Sequence, residues 1–232
     1  MTRGKVYEQV EARARRHDPE DFWGQTGRSV RGVPVGEDQI ELLIDAVAQG
    51  LNLVADDLLL DVCCGNGALS TRCFQRCRGG VGVDFSDYLI GVAKKNFESP
   101  PQQTYVLGDV VEFARSEVDP LRFTKALCYG SFTYLSRDSA HELLSTVRQR
   151  FGGIRRFFVG NLPDKALMSA FLDPGANVSG IEDDPESPIG IWRTVEEFTD
   201  LANSTGWQPE FRRMPASYYA AHYRYDVVLT QR

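Results

Sequence analysis

The chain has 232 residues, 42% of them apolar and 25% charged, and a formal net charge of −6. That length supports one domain with its own core, and that composition is typical of a soluble globular protein. The negative balance argues against a nucleic-acid partner, and no apolar run approaches the roughly 20 residues of a membrane span.

Read from its first residue, the sequence opens on Met1-Thr2-Arg3-Gly4-Lys5, which does not read as a secretory leader. The five cysteines are odd in number and contain no C-x-x-C pair. They fit small buried thiols in a reducing, cytoplasmic setting better than a disulfide framework or a metal site. Arg13, Arg15 and Arg16 form the densest basic cluster, which reads as a solvated helix face.

Residues 5–17 read as a polar helix, and 18–36, with Trp23, four glycines and Pro34, as irregular chain. Ile40, Leu43, Ile44 and Val47 recur at helical spacing across 37–49, with Gly50 as the expected stop. Strands and helices then alternate. Strands are expected at 58–62, 80–83, 104–107, 126–129 and 156–159, and helices from Ala68, at 87–97 and at 139–151. The last of these helices has Ser136 or Asp138 as its cap. Thr194-Val195-Glu196-Glu197 is a capping box opening a helix that stops at Gly206. Two strands finish the chain, near 210–214 and 225–230. The alternation implies a mainly parallel, doubly wound seven-stranded sheet. The final pair, with no helix between them, should form an antiparallel hairpin at its end. Residues 173–190 interrupt the rhythm with Pro174, Pro185, Pro188 and the acidic run Glu182-Asp183-Asp184. A loop that long reads as a lid or specificity insert, or as a solvated linker. The expected organisation is an N-terminal cap over 1–37 and one ligand-binding domain over 38–232.

The chemistry concentrates at strand ends. Leu59-Leu60-Asp61-Val62 runs into Cys63-Cys64-Gly65-Asn66-Gly67, a strand entering a glycine turn that opens a helix. Gly65 and Gly67 let backbone approach a ligand closely. Asp84 and Asp109 end the next two strands, placing three carboxylates along one crevice. An acid at Asp84 suits both hydroxyls of a ribose. Asp109 suits an adenine amino group. Two cofactor classes compete for such a cradle. A dinucleotide fingerprint would need a third glycine where Ser70 stands. A carboxylate at Asp61 also suits a cationic ligand better than a pyrophosphate.

These segments, with Val83-Asp84-Phe85-Ser86, Gly108-Asp109-Val110 and the closing Val195-Glu196-Glu197-Phe198 and Gly206-Trp207, resemble the class I S-adenosylmethionine-dependent methyltransferases over residues 38–232. The resemblance implies a Rossmann-like fold, S-adenosylmethionine as donor and S-adenosylhomocysteine as product. It implies Asp61, Gly65 and Gly67 around the methionine moiety, Asp84 on the ribose and Phe85 against the adenine. It further implies that Asp109 and Val110 lie at the adenine edge and Tyr129 beside the sulfonium. Cys63 stands where many members have glycine, a departure small enough to keep it in the set. Within the cap, Trp23 and Arg28 are the candidates for the cofactor, Arg28 as a partner of the methionine carboxylate. Tyr129-Gly130-Ser131 lacks the carboxylate of metal-using members and the amino-methylating Asn/Asp-Pro-Pro-aromatic signature. A small-molecule acceptor, methylated on oxygen, is therefore expected, with sugars and phenols the leading classes. His222 is the first candidate base and His141 the second, with His17 and Tyr134 behind them. The competing functions are an NAD(P)-dependent oxidoreductase and a non-catalytic nucleoside-binding module.

Overall fold

A computed structural model describes residues 4–172 and 180–231. Residues 173–179, the first part of the expected insert, lie outside the described residues. The elements in chain order are α1 (Lys5–Ala14), α2 (Phe22–Gln25), the short strands β1 (Ser29–Val30) and β2 (Val33–Pro34), and α3 (Glu37–Leu51). They continue as β3 (Leu58–Val62), α4 (Ala68–Phe74), β4 (Gly79–Asp84), α5 (Asp87–Phe97), β5 (Gln103–Leu107), α6 (Val110–Ser116) and β6 (Lys125–Tyr129). Then come α7 (Arg137–Arg150), β7 (Arg156–Pro163), α8 (Val195–Ser204), β8 (Trp207–Arg212) and β9 (Arg224–Gln231).

Seven strands form one sheet in the order β5-β4-β3-β6-β7-β9-β8. Neighbours from β5 to β7 are parallel, and β9 runs antiparallel to both β7 and β8. The terminal hairpin expected from the sequence is thus present, with β9 tucked inside it. Side chains alternate across the sheet with the period of two that a pleated strand imposes. Leu60, Val62, Ala126, Cys128, Phe157 and Val159 share one core with α6, α7 and α8. Leu59, Leu127, Tyr129 and Phe158 share the other with α3, α4 and α5. No described helix is long and apolar enough to cross a membrane.

Three expectations need correction. Helix α3 does not stop at Gly50. It runs to Leu51, and Asn52 takes the left-handed cap at φ 51°. Gly50 is instead a packing position, where a Cβ would meet the Phe158 ring at 2.5 Å. Helix α6 was not anticipated, because only Val110, Val111 and Ala114 of its seven residues are buried. That is too short a pattern to show helical periodicity. Residues 18–36 are not wholly irregular, since they hold α2 and the β1–β2 hairpin. The predicted caps are present: Ser136 Oγ accepts from Ser139 N, and Thr194 and Glu197 form the reciprocal box.

Candidate functional site

Parallel strands deliver all their carboxyl ends to one edge of the sheet, and the strand order reverses between β3 and β6, where such folds bind ligands. Because β9 is antiparallel, its first residue, Arg224, comes to that same edge. A cavity of about 390 Å³ opens there.

One half of this cavity is formed by Cys63, Cys64 and Gly65 after β3, Asp84 and Phe85 after β4, and Asp109 and Val110 after β5. The β3 turn is tight: Cys63, Gly65 and Gly67 all have positive φ, of 63°, 59° and 76°. A Cβ on Gly67 would stand 2.7 Å from Tyr105, so the turn admits no larger residue there. Asp84 is buried, and its two oxygens accept from Gly65 N and Ser86 N, each at 2.9 Å. Burial raises its carboxyl above the ordinary range, and those backbone donors oppose the rise. A carboxylate offers about four acceptor sites, so Asp84 keeps capacity for two hydroxyls.

Asp61 and Gly67 do not line the cavity. Asp61 projects to the α4 face of β3, where Ser70 Oγ donates to it at 2.5 Å. Burial pushes its carboxyl up to about 7, against the Ser70 hydrogen bond and the charge of Arg28. Ser70, which broke the dinucleotide fingerprint, is therefore the partner that holds Asp61. Asp109 lines the cavity, and its Oδ1 accepts from Val111 N and Glu112 N as the N-cap of α6.

The N-terminal segment forms the roof of this half. Val6, Val10 and Arg13 of α1 line it, as do residues 26–29. Helix α1 is anchored through Glu11, whose Oε1 accepts from Ser86 Oγ at 2.5 Å and from Tyr88 N at 3.1 Å. Arg28 lies 5.8 Å from the Trp23 ring and 5.8 Å from the Tyr129 ring, and its NH1 donates to Thr26 Oγ1 at 2.7 Å. The Nε atoms of Arg28 and Arg13 are buried with no hydrogen-bond partner among the described residues. Trp23 stays outside the cavity. Its Nε1 donates to Glu37, and its ring backs Arg28.

The other half comes from Tyr129, Ser131 and Tyr134 after β6, Asn161 in β7, Ile189, and Tyr219 and Arg224 flanking the last turn. The Tyr129 and Tyr218 hydroxyls share a hydrogen bond at 3.0 Å, and burial holds both phenols well above their usual range. Residues 180–190 are tied to the turn after β6. Tyr134 Oη donates to Pro188 O at 2.8 Å, and Thr133 Oγ1 donates to Ile189 O at 2.8 Å.

Neither histidine chosen as a base reaches the cavity. His141 is exposed, because α7 turns Ala140, Leu143, Leu144 and Val147 inward. His222 is exposed too, while its neighbours Tyr223 and Arg224 line the cavity. His17 is engaged with Asp21 at 2.7 Å. Four lining or supporting residues were missed: Arg13, Asn161, Arg224 and Asp226. Asp226 is buried in β9, its Oδ1 accepts from Asn161 N at 2.7 Å, and burial pushes it up to about 6. A lone acid inside Tyr225-Asp226-Val227-Val228-Leu229 was the available signal. Among the described residues no group of three or more His, Cys, Asp or Glu is arranged to hold a metal ion.

Known proteins resemble this chain in part of its sequence and in its fold. Residues 59–151 match the family model described as a methyltransferase domain. A probable cobalt-precorrin-6B C(15)-methyltransferase (decarboxylating) of Methanocaldococcus jannaschii is 32% identical over 101 residues, covering 43% of this chain and 52% of that protein. The chain thus spans about half the length of this curated relative. Magnesium protoporphyrin IX methyltransferase from Synechocystis PCC 6803, solved with bound S-adenosylhomocysteine, superposes with a TM-score of 0.63 at 15% identity over 98% of both chains. A TehB-like S-adenosylmethionine-dependent methyltransferase from Corynebacterium glutamicum gives 0.58 at 18% identity, covering 97% of this chain and 99% of its own. At these identities the two structures share the fold with this chain.

Proposed function

We propose that this chain, whose residues 59–151 match a methyltransferase domain and whose fold is that of S-adenosylmethionine-dependent methyltransferases, is an enzyme that moves a methyl group to an oxygen of a small molecule. The observation that carries this reading is Asp84. It is a buried carboxylate at the end of β4, fixed by Gly65 N and Ser86 N, with lone pairs left for a vicinal diol.

The residues present fit the donor. Asp84 would hold its ribose, Phe85 and Val110 would flank its adenine, and Asp109 would meet the adenine edge. Arg28, whose buried Nε lacks a partner, would hold the methionine carboxylate. Gly65 gives the close backbone approach that a side chain would block. When bound, S-adenosylmethionine supplies an activated methyl group on a sulfonium, so the acceptor needs alignment more than activation. This chain's residues provide that alignment. Helix α1, latched by Glu11, closes the cap over one half of the cavity, while Tyr129 and residues 188–189 exclude water from the other. The acceptor oxygen would lie against Tyr129 and residues 188–189, and once methylated it would release its proton to solvent. No histidine enters this scheme.

The aromatic walls of the second half suit a sugar or phenol. The test is transfer of radiolabelled methyl from S-adenosylmethionine across sugars, phenols, amines and peptides. Label on a hydroxyl compound supports the reading. Label on amines or peptides alone overturns the choice of oxygen, and silence throughout favours a binding module that has lost turnover.

A further inference from the structure

The half of the cavity opposite Asp84 carries its own polar signature. Asn161 has φ 63°, a left-handed conformation rare for a residue other than glycine. It sits where the pairing of β7 with β9 shifts register between Val159 and Leu162. Such bulges re-aim side chains and cluster beside active sites. Its backbone is held from both sides: Asp226 Oδ1 accepts from its N–H at 2.7 Å, and Arg224 NH1 donates to its carbonyl. Asn161 lines the cavity, and its Oδ1 is buried with no hydrogen-bond donor among the described residues. A buried acceptor without a donor is costly to a fold. Here the surrounding bonds maintain that cost where a ligand enters.

Arg224 stands beside it. The guanidinium lies over the Tyr223 ring at 4.7 Å, which stiffens it, and its bond to Asn161 O is its only hydrogen bond among the described residues. Among the described residues no carboxylate lines this half of the cavity. Apart from Ser131, its remaining side chains are aromatic or aliphatic, with Tyr129, Tyr134, Phe171, Tyr219, Leu135 and Ile189. An anchored cation, an open hydrogen-bond acceptor and flat apolar walls define a ligand with complementary parts.

We infer that the methyl acceptor is a planar ring bearing both a hydroxyl and an anionic group, with Arg224 binding the anion and Asn161 Oδ1 accepting a hydrogen bond from the hydroxyl. This rests on the methyltransferase reading above and names the acceptor class for it. Asn161 and Arg224 are specificity residues, and Asp226 positions them.

The test is calorimetric titration of the full chain, saturated with S-adenosylhomocysteine, with four rings of similar size: 4-hydroxybenzoate, 4-hydroxybenzamide, 4-hydroxybenzylamine and benzoate. The expected result is 4-hydroxybenzoate binding about tenfold tighter than the amide, as one charge-assisted bond requires. The amine and benzoate should also be weaker. Arg224→Gln should level acid and amide, Arg224→Lys should keep the preference, and Asn161→Gly should level 4-hydroxybenzoate and benzoate. Affinity for S-adenosylhomocysteine should stay within about twofold in all three variants. Glycine accepts the positive φ of Asn161, so that variant tests the amide without straining the bulge. The inference is overturned if the amide or amine equals the acid, if the acid preference survives Arg224→Gln, or if no acid binds. Failure of S-adenosylhomocysteine to bind strikes the donor reading instead, and the same four rings on the ligand-free chain then decide the preference for the acid.

Discussion

The two halves of the cavity are built on the same device and put it to different uses. Beneath one half lies Asp61, buried in β3 and held by Ser70, and beneath the other lies Asp226, buried in β9 and bonded to Asn161 N. The first half adds carboxylates at the cavity surface, Asp84 and Asp109, on short strand-to-helix turns. The second has none. It offers a guanidinium, an open amide and aromatic rings carried on a bulge and on irregular connections. On the proposed reading, the edge of the parallel sheet fixes the donor by repeated local turns and leaves the acceptor to segments that meet only in three dimensions.

The sharpest way to break this contrast is Asp84→Asn. Losing the carboxylate under a diol removes charge-assisted bonds, and S-adenosylhomocysteine affinity should fall about a hundredfold by calorimetry. A change under threefold would remove Asp84 from the donor half. Next is Arg28→Ala, which should weaken the same ligand about tenfold, whereas Arg224→Gln should leave it unmoved. Equal losses from the two arginines would erase the division of the cavity.

The buried carboxylates set a smaller, pH-dependent effect. Asp61 and Asp226 have native pKa values raised by burial to about 7 and about 6, above their unfolded values. Protonation therefore favours the native state. The stability each group contributes is fully present below its unfolded pKa and is lost as pH rises through 7 for Asp61 and 6 for Asp226. The gain in Tm of Asp61→Asn over the parent should be larger at pH 8 than at pH 5, and Asp226→Asn should complete its rise about one unit lower. A gain independent of pH would show that the carboxyls are ionised throughout. The smallest effect expected is Cys63→Gly. Relief of the left-handed strain at φ 63° should raise stability in urea by up to about 1 kcal/mol, less the entropy that glycine adds to the unfolded chain.

The same contrast explains what could be read from the chain. Asp84 ends a strand, and Gly65 and Asp109 follow one within three residues, so type, spacing and position coincide close to a visible apolar run. The sheet followed for the same reason, down to the hairpin of β8 and β9. Asn161 and Arg224 carry no such mark. They are 63 residues apart and meet because β9 returns antiparallel beside β7, and the bulge at Asn161 shows only in the register. The histidines misled because placing a residue near the right sheet edge does not fix which way it points. His222 faces solvent while Tyr223, one residue on, faces the cavity. Asp61 was placed at the ligand by its motif, yet strand alternation turns it toward Ser70.

The central claim is that the donor half holds S-adenosylmethionine through Asp84 and Arg28. Calorimetric titration of the full chain with S-adenosylhomocysteine, run beside NADPH and NADH, tests it most directly. The account predicts one equivalent of S-adenosylhomocysteine bound, with no heat from either nicotinamide cofactor. Binding of a nicotinamide cofactor with none of S-adenosylhomocysteine would contradict it.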